Sequence, residues 1–105
     1  MPGVDINYFI RQANKLTEKI EQRKQELAND TVEGKAGDGR VVVVVNGLQE
    51  LKTIKIDKAL IDPSDSSLLE DLITAAVNAG LTQSREHMSK ELSKISGGMK
   101  IPGLT

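Results

Sequence analysis

The most distinctive hydrophobic pattern in the chain is a run of five valines, Val41 to Val45, between two glycine-containing turns. A strand at the surface of a small antiparallel sheet alternates apolar and polar residues, because successive side chains point to opposite faces. This run is apolar on both faces. In a chain of 105 residues, a second copy of the chain is the best explanation for what covers the second face. The pattern therefore predicts a homodimer.

Two more strands are predicted on either side of the valine strand, which is expected at residues 40–46. The segment 31–35 precedes Gly37-Asp38-Gly39, a turn sequence that permits positive φ angles. The segment 51–57 alternates well and follows Asn46-Gly47, a strong turn signal. Together the three segments predict a three-stranded antiparallel meander.

A long amphipathic helix is predicted before the sheet, at residues 5–28. Its apolar residues recur at spacings of three and four from Ile6 to Leu27, which gives a narrow apolar seam. Arg23 fills the one missing position of that seam, and Asp5 is the predicted N-cap.

A second and longer helix of about 30 residues is predicted after the sheet. Ser67 and Glu70 fit a capping box at its start, and Gly97-Gly98 supplies the C-cap. Gly80 lies inside it, where glycine costs about 1 kcal/mol relative to alanine. It is either tolerated there or permits close packing.

These elements predict an α+β fold with the order α-β-β-β-α, in one domain that covers residues 1–105. The tail, residues 97–105, is expected to be loosely ordered. A helix of 30 residues is about 45 Å long, so both helices should extend beyond the short strands. Their distal apolar seams would then lack a partner, which again favours a dimer. The residues predicted to form the dimer interface are Val41, Val43, Val45, Leu81 and Met88.

Composition excludes several classes of function. The chain has no cysteine, and hence no disulfide or zinc–thiolate site. No signal peptide and no membrane-spanning run are visible, so a soluble cytoplasmic protein is expected. The residues show no nucleophile–base pair, phosphate-binding loop or metal cluster. We therefore expect no enzyme activity, no cofactor and no metal.

Charged residues are nearly balanced, with 14 basic and 15 acidic residues, which argues against strong non-specific binding to nucleic acids. Their distribution is uneven, because residues 63–80 contain three acids and no base. On the helices, basic residues recur in rows away from the apolar seams. Such rows either contact phosphates or form solvated helix faces with intrahelical ion pairs. The candidate DNA-binding residues are Arg11, Lys15, Lys19, Arg23, Arg85, Lys90 and Lys94.

His87 is the single histidine. It could tune DNA binding near neutral pH, but a surface residue without a specific role is the favoured interpretation.

Four motifs, "VVVVVNG", "IKID", "LLEDLITAAVNAG" and "SGGMKIPG", occur in this order along the chain. Together they resemble the YbaB/EbfC family of bacterial nucleoid-associated proteins, over nearly the whole chain. The resemblance implies a homodimer shaped like tweezers, in which projecting helices are associated with DNA binding. It also implies a location at the nucleoid and an association with recombination and gene regulation.

The resemblance favours the phosphate-contact interpretation of the basic rows. The chain is then expected to bind double-stranded DNA with weak sequence preference. The alternative is a dimeric interaction module that docks on another protein, for example a recombination factor, without binding DNA directly.

Overall fold

The computed structural model describes residues 5–97 and confirms the predicted order α-β-β-β-α. The tail was expected to be loosely ordered, and apart from Gly97 it lies outside the described residues. Two long helices flank three strands and a short 3₁₀ turn. The elements are α1 (Ile6–Leu27), β1 (Thr31–Ala36), β2 (Val41–Asn46), β3 (Leu51–Ile56), the 3₁₀ turn (Lys58–Leu60) and α2 (Ser67–Ser96).

Helix α1 begins where the sequence predicts. The side chain of Asp5 accepts a hydrogen bond from the backbone N–H of Asn7, at 2.9 Å. At the other end of the chain, Gly97 ends α2 in the left-handed conformation, with φ of 57°. Both caps follow from the preferences of Asp and Gly for these positions.

The start of α2 differs from the predicted capping box. Ser66, not Ser67, is the N-cap, and its side chain makes no hydrogen bond to the backbone. The Asp65 carboxylate instead accepts a hydrogen bond from the backbone N–H of Ser67, at 3.3 Å. The predicted N-cap was one residue too late: Ser67 is the first residue of α2, and its hydroxyl donates a hydrogen bond to the same Asp65 oxygen, at 2.7 Å.

The strands form an antiparallel sheet in the order β1-β2-β3. The turn between β1 and β2 has positive φ at Gly37, Asp38 and Gly39, as the sequence predicts. Helix α2 packs mainly on β1 and β2. Under it, the side chains of Val41, Val43 and Val45 are completely buried, and they form the centre of the core.

This packing corrects the predicted dimer interface. Val41, Val43 and Val45 face their own helix and are 0% exposed, so they offer no surface to a second chain. Leu81 packs against the same core, and Met88 is half-buried near Gln49. The pattern could not distinguish the two faces of β2, because all five residues are valine.

The opposite face of the sheet carries the remaining valines. Val42 and Val44 are only partly buried. Lys35 and Lys55 flank Val42 on the neighbouring strands, while Glu33 and Thr53 flank Val44. We call this surface the outer sheet face; no element among residues 5–97 covers it to the extent that α2 covers the other.

Helix α2 and strand β1 approach each other at two glycines. A Cβ atom on Gly34 would lie 2.7 Å from the Cα of Gly80 and would overlap the carbonyl oxygen of Ala76. A Cβ on Gly80 would lie 2.8 and 2.9 Å from methyl groups of Val45 and Val43. Of the two explanations for Gly80, the structure supports close packing.

The molecule is elongated, with a radius of gyration of 20.3 Å, compared with about 13 Å for a compact chain of this length. Helix α1 packs on the second half of α2 and continues past its end. The first turns of α1 are exposed, with Ile6 at 68%, Phe9 at 58% and Ile10 at 51%. The distal seam of α1 is therefore unpartnered within residues 5–97, as predicted, whereas that of α2 is half-buried.

Neither helix within residues 5–97 has the length and hydropathy that crossing a bilayer requires.

Candidate functional site

A buried polar cluster fixes the end of α1 to the sheet and to α2. Asn46, which is 0% exposed, donates a side-chain hydrogen bond to the carbonyl of Ala28 at 3.2 Å. The hydroxyl of Ser84, equally buried, donates to the carbonyl of Asn46 at 2.6 Å. The backbone N–H of Gly47 donates to the carbonyl of Leu27 at 2.9 Å. These contacts set the direction in which α1 leaves the sheet.

A network of charged side chains joins α1 to the second half of α2. The Nη2 atom of Arg23 lies 2.7 Å from Oδ2 of Asp30 and 2.8 Å from Oε1 of Glu91. The same Asp30 oxygen lies 2.8 Å from Nε2 of His87, and Lys94 pairs with Glu91. We call these five residues the interhelical network. Its two carboxylates bridge three basic side chains across the helix pair.

The network holds its carboxylates in the ionised form. Hydrogen bonds from Lys94 and Arg23 lower the pKa of Glu91 to about 2. The pKa of Asp30 is also lowered, by hydrogen bonds with His87 and Arg23. The pKa of Arg23 is raised by its hydrogen bonds to Glu91 and Asp30. The arrangement stabilises charge pairs between the helices and leaves Arg23 poorly placed for any other ligand.

The predicted DNA-binding residues therefore separate into two groups. Arg23 and Lys94 belong to the interhelical network, and the side chain of Arg23 is only 21% exposed. Arg23 is thus corrected from a free surface cation to a helix–helix contact. The remaining five residues are exposed and make no ion pair with any residue in the range 5–97; they are Arg11, Lys15, Lys19, Arg85 and Lys90.

Helix geometry explains why the row on α1 divides in this way. Residues four apart are rotated by about 40° relative to each other, so the row turns gradually around the helix. Arg23 points at α2, where Glu91 accepts its hydrogen bond. Lys19, Lys15 and Arg11 lie progressively farther from that contact, and all three are exposed. One end of the row thus stabilises the fold while the other end is free.

Two of these cations lie beside an apolar groove between the helices. Lys15 and Lys19 line it together with Phe9 and Leu16 of α1 and Ile95 of α2. The groove forms where α1 continues beyond the end of α2. We call it the end groove.

Arg85 lies on a different side of the molecule. It is two positions before His87, which places it about 160° around α2 from the residue that contacts Asp30. Its side chain donates a hydrogen bond to the hydroxyl of Thr82, at 3.3 Å. The structure therefore does not bring Arg85 together with the cations of α1.

The interhelical network was not predicted from the sequence. No site role is predicted for Asp30, and His87 is predicted to be a surface residue without a specific role. His87 is in fact 30% exposed and in contact with Asp30. Arg23 was the feature of the sequence that could have indicated the network. An arginine at an apolar position of a helix seam requires an acidic partner when it packs between helices.

Within the part of the chain that the structure describes, no group of three or more His, Cys, Asp or Glu side chains is arranged to hold a metal ion.

Comparison with known proteins gives consistent results. A "Nucleoid-associated protein" of Myxococcus xanthus is 74% identical over 105 residues, which is 100% of both chains. A "Nucleoid-associated protein" of Syntrophobacter fumaroxidans is 48% identical over 95 residues, 90% of this chain and 86% of the relative. The crystal structure of an uncharacterized protein from Helicobacter pylori has the same fold, with a TM-score of 0.76 at 22% identity, and the match covers 90% of this chain and 99% of that one. The family model described as "YbaB/EbfC DNA-binding family" matches residues 1–99, and the chain therefore belongs to the YbaB/EbfC DNA-binding family.

Proposed function

We propose that this protein binds double-stranded DNA at the bacterial nucleoid, in the cytoplasm, as a homodimer that contacts phosphates through its projecting helices. The observation that carries the proposal is the set of exposed cations without ion pairs among residues 5–97, three of which follow one another along the projecting helix α1. Family membership and the names of the relatives support DNA as the ligand.

The proposed contacts are with the DNA backbone. Lysine and arginine side chains on exposed helix faces reach phosphates, which carry no sequence information. Acidic residues lie between the cations on both helices, and the formal net charge of the chain is −1. We therefore expect only about three to five phosphate contacts, with a slope of log K against log salt between about −3 and −4.5. Affinity should be modest and sequence preference weak.

The proposed dimer uses the outer sheet face. Val42 and Val44 remain partly exposed there, next to Lys35 and Lys55. Complete burial of a valine side chain contributes roughly 1.5–3 kcal/mol relative to full exposure, and these partly buried side chains would gain a fraction of that. A dimer presents every cation twice, which strengthens DNA binding without any new type of contact.

The test is a gel-shift titration with a random-sequence duplex at increasing salt. Wild-type protein should bind at about 50 mM salt and lose affinity steeply above it. The variants Lys15→Glu/Lys19→Glu and Lys90→Glu should bind much more weakly while helix content stays the same. The first variant has a matched control of equal charge change, Lys52→Glu/Lys58→Glu, on exposed positions of the sheet and the 3₁₀ turn.

If wild type fails to shift any duplex, or if the control variant loses as much affinity as Lys15→Glu/Lys19→Glu, the proposal is wrong. The protein-interaction module, docking on a partner such as a recombination factor, then becomes the better explanation of the fold.

A further inference from the structure

The two ends of α2 carry surfaces of opposite character. At the C-terminal end lies the end groove, with an apolar lining that includes Phe9, Leu16 and Ile95 beside Lys15 and Lys19. At the N-terminal end lies a segment that we call the acidic tip, residues 61–71. A helix of 30 residues separates these two surfaces by about 45 Å.

The acidic tip combines negative charge with exposed apolar side chains. It contains four carboxylates and no lysine or arginine. Ile61 is 57% exposed and Leu68 is 51% exposed, although both are large and apolar. The side chain of Asp71 is exposed as well and makes no hydrogen bond or ion pair with residues 5–97. The acidic tip is therefore complementary in charge to the end groove, and both surfaces include exposed or groove-lining apolar side chains.

We propose that the end groove binds the acidic tip of a second copy of this chain. In this arrangement an apolar side chain of the tip, such as Leu68, enters the groove, and carboxylates such as Asp71 lie near Lys15 and Lys19. Apolar burial supplies most of the affinity, and the opposite charges fix the orientation. The contact needs no DNA and is separate from the outer sheet face.

The two surfaces lie at opposite ends of one rigid helix, so the contact is heterologous. A contact of this kind joins copies head to tail and produces an open chain of subunits unless the rotation closes a ring. It therefore predicts assemblies larger than the dimer, in amounts that increase with protein concentration. Because the carboxylates and lysines are exposed, salt should weaken the assembly.

The test is sedimentation velocity without DNA. Wild type should form species larger than a dimer at about 50 mM salt, and the distribution should shift towards the dimer at about 500 mM salt. Lys15→Glu/Lys19→Glu and Glu70→Lys/Asp71→Lys should each remain dimeric, whereas Lys52→Glu/Lys58→Glu should assemble as wild type does. Mixing the first two variants should restore assembly. The acidic groove of the first variant then meets the positive charges at positions 70 and 71 of the second, and the unchanged groove of the second meets the unchanged tip of the first.

A second variant, Leu68→Gln, retains all charges and should reduce assembly at least severalfold. It keeps the test decisive if reversal of two acids near the start of α2 impairs folding. Glu70→Lys/Asp71→Lys should also still bind DNA, since it retains the lysines of the groove.

Three results would overturn the proposal. In the first, wild type remains dimeric at every protein and salt concentration. In the second, the charge-reversed variants assemble like wild type, which would indicate that another surface makes the contact. In the third, Lys15→Glu/Lys19→Glu dissociates the dimer itself, which would show that the dimer partner fills the groove.

Discussion

Arg23 and Glu91 are 68 positions apart in the chain, yet Nη2 of the arginine lies 2.8 Å from Oε1 of the glutamate. This contact joins the two long helices at the point where they leave the sheet. Removal of one member of a partly buried ion pair leaves the other charge without its partner, which costs more than the pair contributes as a whole. The direction of α1 therefore depends on the charge state of a few side chains.

Acid should weaken the helix pair in a defined range. Glu91 has an ordinary pKa of 4.5, which the fold lowers to about 2. A lowered pKa means that the folded state binds the proton more weakly than the unfolded state. The stabilisation is thus complete above pH 4.5 and is lost as pH falls towards 2. Thermal melts across this range should show a decreasing midpoint for wild type and a flatter dependence for Glu91→Gln.

Glu86→Gln is the matched control for this prediction, since Glu86 is exposed on the same helix and has no ion pair with residues 5–97. Its melting profile should follow that of wild type. An unchanged pH dependence in Glu91→Gln would show that other carboxylates dominate.

His87→Gln should leave the fold almost unchanged at pH 7.5. Glutamine retains a hydrogen-bond donor for Asp30, and Arg23 continues to pair with the same carboxylate. His87→Ala removes the donor and should destabilise the protein by about 1 kcal/mol. Chemical denaturation of the two variants tests the difference. A loss larger than about 2 kcal/mol in His87→Gln would indicate a role for the imidazole that these contacts do not explain.

A positive charge on β2 should have different effects on its two faces. Val43 is 0% exposed, so Val43→Lys places the charge in the core and should unfold the chain. Val44→Lys places it on the outer sheet face, where the ammonium group can remain in water. We expect a folded protein with native helix content that sediments as a monomer at about 500 mM salt, where the contact between the acidic tip and the end groove is weakened. A dimeric Val44→Lys variant would show that the dimer uses another surface.

Alanine at Gly80 should destabilise the protein although alanine favours helices. The change gains about 1 kcal/mol of helix propensity, but its Cβ would lie within 2.9 Å of the methyl groups of two core valines. Overpacking of this kind costs typically about 1–3 kcal/mol. Asn78→Ala, at an exposed position of the same helix, gains propensity without crowding and should be neutral or stabilising. If both variants are more stable than wild type in denaturation experiments, the space between Gly80 and the methyl groups of Val43 and Val45 is large enough for a Cβ atom.

Local patterns predicted most of the fold. Asp5 and Gly97 act on their own helix ends, and Gly37-Asp38-Gly39 acts on one turn, so each position can be assigned from its neighbours. The seam periodicity likewise gave the lengths of α1 and α2.

What the sequence did not predict depends on contacts between distant segments. Uniform valines cannot show which face of β2 lies under α2, because the residues are identical. The pairing of Arg23 with Glu91 and of His87 with Asp30 follows from the antiparallel packing of two helices that are far apart in the chain. The same packing determines which cations of the candidate site remain free.

Gly34 and Gly80 allow the close approach of α2 and β1 at the point where they cross. About 24 Å of helix extends from Gly80 to Ser96, held by the sheet at one end only. A tilt of about 5° at Gly80 would displace Ser96 by about 2 Å, and α1 would follow through its ion pairs. In the proposed dimer, a single methyl group at this crossing would therefore change the gap between the two projecting helix pairs. It would change the diameter of the ligand that fits between them without altering the residues that contact that ligand.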